Sequence, residues 1–494
     1  AKGWQAGTFN HLHRYSTDRE IWDQFLRADH FASQCLAVMK WLEKKARSHS
    51  QTWDSMISDL EKRAERGEGL WAHGWLYTKE AIKGQKRLKS WPQPLEPEDH
   101  GVTLSLVTSE QKEPLITQLD PDTVTRQKQS LQKQDKYFEQ ATWLTCWKML
   151  RQGEGWNNIR RWSRERLESW RAVSLCGSSV DMESYAGRTP LDDSCTRMMN
   201  CRSQDAWRAA CSAIARDPHT DDYQKAVYAL LCGEMEPAYN VCQSWDDYVY
   251  VFYNHLILSR YRNYCTQFQR KLTQSPLADV PFKPEPPTYA SVRSFLENLQ
   301  SNQRVQAEAH DPYYVIFAAM LSRDYDAFLL PFAKAAAKVC RKAGFDPGKA
   351  DENVESSAWN AVQDPDALRI VAHLYIIAQR LEYAKTDAHS ANSAGLCLMA
   401  YIENLREAQL LDHVPMYASL LPTDLCHSAL ARFLIGVVDT RERERQTKML
   451  EKYRIDARAV LERQWRWAND EADRVRPPSG QKIRLRRRIR DMHR

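Results

Sequence analysis

Between Trp245 and Ile257 the chain carries Trp245, Tyr248, Val249, Val251, Phe252, Leu256 and Ile257, so a helix through this stretch is apolar on nearly every side. Such a helix has to be covered from several directions at once. This requirement constrains the fold more than any other feature, because it places the interior of a stacked helical array near the middle of the chain. The residues in front of it supply the punctuation. Tyr223, Val227, Leu230 and Leu231 recur at helical spacing and form one apolar face. Gly233 stops that helix, since glycine adopts the left-handed conformation that satisfies the last carbonyls. Pro237 then opens a short helix predicted to run through Val241 and Cys242. Ser244 is placed to cap the apolar helix, with Asp246 and Asp247 in its first turn, where the macrodipole favours negative charge.

The same helical period continues in both directions. Toward the N-terminus, helices are predicted from Ser16 through Leu26, from His30 to Arg47, from Trp53 past Leu60, and around Trp71, Trp75, Leu76 and Ile82. Residues 91–114, bracketed by Pro92, Pro94, Pro97 and Pro114, read as a surface loop insertion, with a short strand through Leu104 and Val107 as the alternative. Asp120-Pro121-Asp122 is a turn. It leads into a helix carrying Tyr137, Phe138, Trp143, Leu144, Trp147 and Leu150, then two short ones, Asn157–Arg166 and Leu167–Cys176. Ser178 to Arg202 is loop-like, and helix resumes at Gln204. After Leu272 comes a Pro-rich linker with Pro276, Pro281, Pro284, Pro286 and Pro287. Helical hairpins fill the remainder, among them the apolar run Leu368–Leu381. The fold class is all-α, an irregular α-helical solenoid of about twenty helices without a strand pair or strict repeat.

Composition sets aside several functions. No apolar run reaches the eighteen or so residues that cross a bilayer, so no transmembrane segment is expected. The chain opens without an initiator Met and has no signal peptide, so an internal fragment of a longer protein is expected. Its twelve cysteines include no CxxC, and most lie in apolar helical patterns, which reads as reduced core thiols. The net charge of +6 is concentrated in the last segment, at Arg484, Arg486, Arg487, Arg488, Arg490 and Arg494. That segment reads as a solvated helix face, and no specific nucleic-acid partner is expected. Phosphate-binding loops, HExxH and GxSxG are missing. His11 and His13 lack further metal ligands nearby. Asp246-Asp247 resembles the aspartate-rich segment of terpene cyclases, yet a third acid one turn later is replaced by Tyr250. No catalytic, cofactor-binding or metal residue is assigned, and the chain is read as not being an enzyme.

Five segments, in one order from Thr117 to Leu425, resemble a known family. TQLDPDTVTRQKQSL resembles the LDPDA-x-RQ segment of the nucleoporin 84/107 family, and ESWRAVSLCG its WRAATLEG segment. YQKAVYALLCGEMEPAYNVCQSWDDYVYVFY, LRIVAHL and DHVPMYASLLPTDL are similar to later segments of the same proteins. The resemblance implies an ancestral-coatomer-element solenoid that folds back on itself, with a trunk and a crown. It implies a first trunk half over 1–134, a crown over 135–272, the linker over 273–288 and a second trunk half over 289–494. It further implies a structural scaffold subunit of the nuclear pore Y complex at the nuclear envelope, supporting nucleocytoplasmic transport, including mRNA export, and pore assembly. The implied partners are a helical nucleoporin of the 96/145C type through the crown, nucleoporin 133 through a C-terminal tail mostly missing here, and other Y-complex subunits. A vesicle-coat subunit of the same fold is the alternative. Trp170, Val173 and Leu175 lie on the helix that resembles the family's crown contact and are the candidate interface residues. Trp143 and Trp147, on the preceding helix pair, are further candidates. All five are equally the kind of residue that fills a core.

Overall fold

The computed structural model describes residues 12–49, 51–66, 74–90, 114–176, 205–274, 282–283, 285–342, 356–381, 383, 388–437 and 439–474. Trp71, the 178–202 loop, the strand alternative at Leu104 and Val107, and the basic segment from Arg484 onward lie outside these residues. Among the described residues the regular structure is helical, as the sequence predicts. One isolated parallel bridge joins Leu115 to Ser130. The chain separates into two compact units, Ala1–Pro287 and Thr288–Arg494.

The first unit begins with α1 (Asp18–Ala28), α2 (His30–Ser48), α3 (Gln51–Arg63), α4 (Leu76–Lys89) and α5 (Thr123–Gln127). It continues with α6 (Lys133–Arg151), α7 (Trp156–Glu165), α8 (Ser169–Cys176), α9 (Asp205–Arg216) and α10 (Asp222–Cys232). It closes with α11 (Glu236–Tyr239) and α12 (Trp245–Gln274). The centre of this unit is α12, whose 30 residues extend about 45 Å. Trp22 and Phe25 of α1 pack on Tyr261 of α12 with ring centroids 4.8 and 5.1 Å apart. Val249, Tyr250, Ile257, Tyr261 and Phe268 are all fully buried, so α12 is covered from several sides.

Local chemistry explains where these helices begin and end. The Thr17 hydroxyl and the Glu20 carboxylate form a reciprocal capping box on α1. Gly233 ends α10 with φ 82°, a left-handed conformation that favours glycine, and a Cβ there would crowd the Leu258 side chain at 3.3 Å. α11 stops at Tyr239, short of the expected Val241 and Cys242. Those two residues make turn-type bonds to the Ala238 and Tyr239 carbonyls instead, bringing the chain round to Ser244. The Ser244 hydroxyl accepts from the Asp247 amide at 3.3 Å, while the Asp247 carboxylate accepts from the Ser244 amide at 3.3 Å.

Asp247 also joins three helices. Arg151, at the end of α6, donates through Nε to its Oδ1 at 2.9 Å and through Nη1 to the Leu42 carbonyl of α2 at 3.0 Å. The same guanidinium lies 4.5 Å from the ring centre of Tyr250. A second buried pair holds the far part of α12: Arg260 donates to Asp29 at 2.6 Å, and Asp29 caps α2 through the Ala32 amide. Arg260 also donates to the Glu285 and Pro286 carbonyls at 2.6 and 3.2 Å.

The second unit contains α13 (Tyr289–Ser301), α14 (Gln306–Ala309), α15 (Pro312–Ser322), α16 (Tyr325–Lys342), α17 (Ser356–Gln363) and α18 (Pro365–Arg380). After these come α19 (Ala388–Glu407), α20 (Val414–Ala418), α21 (Thr423–Ile435), α22 (Thr440–Lys452) and α23 (Ala457–Arg474). Its core gathers Ala333, Ala336 and Cys340 of α16 with Leu398, Tyr401 and Ile402 of α19 and Leu368, Val371 and Tyr375 of α18. Asp311 and Asp364 cap α15 and α18, each followed by proline in the first turn.

Asp247→Ala removes a cap and leaves the Arg151 guanidinium buried without its carboxylate, and is expected to destabilise the first unit by about 3–5 kcal/mol. Arg126→Ala, which removes surface ion pairs with Asp120 and Asp122 and bonds to Gln118 and Thr123, should stay within about 0.5 kcal/mol. Urea unfolding followed by circular dichroism checks both. Ten of the twelve cysteines are buried and in no disulfide, and burial pushes the thiols of Cys35, Cys146, Cys340 and Cys397 up to about 12. With Cys195 and Cys201 replaced by serine, a thiol reagent should label the chain only as denaturant unfolds it. Rapid labelling of the native protein would contradict this packing.

Candidate functional site

Helix α7 ends without a glycine. Leu167 takes up the left-handed conformation there, φ 60°, and carries the chain into α8. Its amide donates to the Arg164 carbonyl at 3.0 Å and the Glu168 amide to the Ser163 carbonyl at 2.9 Å, the paired closure of a Schellman end. Ser163 adds a hydroxyl bond to the Glu168 carbonyl. This turn is why α8 starts at Ser169 and not at the predicted Leu167. A leucine in this conformation costs about 1–2 kcal/mol relative to the right-handed one. Its side chain is left in solvent, 68% exposed.

Beneath α8 lies a buried charge cluster. Arg171 is fully buried and donates to Glu168 at 3.0 Å and to both oxygens of Glu139 at 3.2 Å. Glu139 also accepts from the Trp75 indole at 2.8 Å. Burial pushes the Glu168 carboxyl upward, while the two carboxylates raise Arg171 and hold it charged. The guanidinium is 4.4 Å from the Trp143 ring centre and 4.5 Å from that of Trp170. Trp170 is therefore stacked on a buried cation that itself rests on Trp143.

This arrangement separates the five candidate residues. Trp143, Trp147 and Leu175 lie inside the first unit's own interior. Trp170 and Val173, three residues apart on one face of α8, are 36% and 69% exposed. Two further residues that periodicity did not single out, Leu119 and Leu167, are also exposed. Leu119, Leu167 and Trp170 share the wall of a concavity of about 310 Å³ with Gly74 and Pro121. On its other side Trp170 borders a second groove of about 520 Å³. Exposed apolar residues grouped in this way mark interaction surfaces on folded domains. The only sequence sign of Leu167 was its place at the start of the second of two adjoining predicted helices.

No group of three or more His, Cys, Asp or Glu among the described residues is placed to hold a metal. Asp246 and Asp247 serve structure: Asp246 pairs with Lys45 at 2.7 Å and Asp247 with Arg151. No described helix is long and apolar enough to cross a membrane.

The sequence model of the nuclear pore protein 84/107 family matches residues 4–492. The chain belongs to that family. Nucleoporin NUP84 of Chaetomium thermophilum is 32% identical over 467 residues, which cover 90% of this chain and 47% of that protein. Nucleoporin nup107 of Schizosaccharomyces pombe is 23% identical over 77% of this chain and 42% of its own length. Nuclear pore complex protein Nup107 of Homo sapiens is 22% identical over 70% of this chain and 34% of its own. The chain thus spans between about a third and a half of the length of these nucleoporins. The family read from the five sequence segments is the family found.

Asp221, beside the larger groove, caps α10 through the Tyr223 amide at 2.9 Å and accepts from Gln140 at 3.0 Å. Burial raises its carboxyl above the ordinary value. A carboxyl raised on folding stabilises below its unfolded value, and that contribution is lost as pH rises through the folded one. Asparagine caps a helix about as well. Asp221→Asn should therefore raise the melting temperature at pH 7, with the gain shrinking as pH falls toward the ordinary carboxylate range. A pH series of thermal melts checks the sign, and an equal shift at every pH would contradict it.

Proposed function

We propose that this chain is a structural scaffold subunit of the nuclear pore complex, in the Y complex at the nuclear envelope, that docks a helical nucleoporin of the 96/145C type through α8. The observation that carries this reading is the pair Trp170 and Val173. These apolar residues stand in solvent on a helix anchored from below by Arg171. An interface of ordinary size buries roughly 1,600 Å² in total, and a few anchors dominate its energy. Stacking on a buried cation fixes the Trp170 ring in advance, so little side-chain entropy is lost when a partner covers it. Leu167 and Leu119 extend the same surface.

On this reading residues 135–272 form the crown, residues 1–134 and 289–494 the two trunk halves, and 273–288 the linker. Trp143, Trp147 and Leu175 support the docking helix from inside. Membership of the nuclear pore protein 84/107 family favours the pore over the vesicle coat. Support of mRNA export and pore assembly follows as the role of the assembled complex. A contact with nucleoporin 133 belongs, by family resemblance, to a C-terminal tail and leaves α8 free for the 96/145C-type partner.

Light scattering on a size-exclusion column tests the docking. The chain mixed with a 96/145C-type nucleoporin is expected to elute as a one-to-one complex. Trp170→Glu with Val173→Glu should abolish that peak while helicity and melting temperature stay near those of the parent. Val173→Glu alone should weaken binding without any folding defect. A complex that survives the double variant would move the interface elsewhere.

A further inference from the structure

The larger groove beside Trp170 carries features that docking of a helical face does not use. It is lined by Trp75, Trp170 and the buried Trp143, and by three prolines, Pro114, Pro121 and Pro218. Its volume of about 520 Å³ falls within the roughly 300–1,000 Å³ typical of ligand sites. Two of its lining residues, Gln129 and Ser130, each carry a buried side-chain oxygen without a partner. Ser130 is only 7% exposed. Its backbone is fully engaged: the amide donates to the Pro114 carbonyl at 3.0 Å, and the carbonyl accepts from the Ile116 amide at 3.2 Å. Its hydroxyl alone is left over, although most buried polar groups in folded proteins are bonded.

Charge narrows the ligand further. The two carboxylates that line the groove are both engaged within the protein, Glu139 with Arg171 and Trp75, and Asp221 with Gln140 and the Tyr223 amide. The ammonium groups bordering it, on Lys128 and Lys136, are on exposed residues.

We infer that this groove is a docking site for an extended, acidic, proline-bearing peptide segment of a partner protein. Each element of the ligand has a counterpart. Proline in a polyproline II segment packs on aromatic walls and is already ordered before binding. The orphan carbonyl of Gln129 takes a backbone N–H, and the Ser130 hydroxyl, as donor or acceptor, completes its bonding with the peptide main chain. Asp or Glu side chains of the ligand meet Lys128 and Lys136. The site shares Trp170 with the helix-face interface but needs neither Val173 nor the 96/145C-type partner. Failure of either reading leaves the other standing.

Selection of a phage-displayed random peptide library on the full chain, followed by fluorescence anisotropy of the best labelled peptide, tests this. The enriched peptides should combine proline with Asp or Glu. Lys128→Glu with Lys136→Glu should weaken binding by roughly tenfold or more. Ser130→Ala should weaken it by several-fold, yet leave the melting temperature unchanged or raised, because it removes a buried hydroxyl that has no partner in the free protein. Val173→Glu should leave peptide binding untouched while disrupting the helix-face complex. The inference is overturned by any of three results: no enrichment above an empty support, enriched peptides without acidic residues or proline, or binding indifferent to the lysine and serine variants.

Discussion

The first unit depends on one carboxylate. Asp247 closes the start of α12 with Ser244, and in the same position receives Arg151 from the end of α6, which also reaches the Leu42 carbonyl of α2. Two charges taken out of water are an expensive way to hold helices together, and apolar contacts of equal volume often do as well. The arrangement gives direction instead. An apolar helix can slide and turn among apolar neighbours at little loss, whereas a bidirectional cap bonded to a guanidinium fits in one register. Asp29 with Arg260 repeats the device on the same helix: a capping aspartate buried against an arginine from a distant part of the chain. Asp135, buried in the first turn of α6, bonds the Thr78 amide and Arg66. The unit is therefore oriented by buried acids at helix starts and filled by aromatic side chains between them.

The surface around Trp170 draws on the same chemistry for another end. Arg171 sits between Trp143 and Trp170 and is held from below by two glutamates. A large apolar ring is thereby kept at the surface in a fixed attitude, while its neighbour Leu167 is held outward by a strained turn. Strain and exposed apolar area, found together above a buried ion-pair cluster, belong to a surface shaped for contact.

Much of this was legible in the sequence because it is local. Gly233, Pro237, Ser244 and Asp247 announce their turns and caps within a few residues, and the helical period follows from side-chain spacing alone. The five family-like segments consist mostly of such turn and packing residues. What could not be read was whatever joins distant positions. Arg151 and Asp247 are 96 residues apart, and no spacing rule couples them. Trp143, Trp147 and Trp170 look alike in sequence, since aromatic residues on a helix face serve equally in a core and at an interface. Only the three-dimensional neighbourhood, Arg171 above all, separates the buried rings from the exposed one. Short helices such as α5, α14 and α17, with 5, 4 and 8 residues, offer too few turns for a period to show.

The two arginine–aspartate locks on α12 bear on how a chain of this kind changes over time. Asp247 and Arg260 lie on the same helix and are tied to different neighbours, so the number of residues between them is fixed by both partners at once. A single residue inserted between them would turn one lock by about 100° and shift it by about 1.5 Å relative to the other. Neither aspartate–arginine pair tolerates such a displacement while the other stays closed. Substitutions along this spine leave both locks closed as long as apolar bulk is kept, whereas a residue added or lost between them does not. The spacing between the two locks on α12 is therefore constrained more tightly than the identity of the apolar residues that fill it.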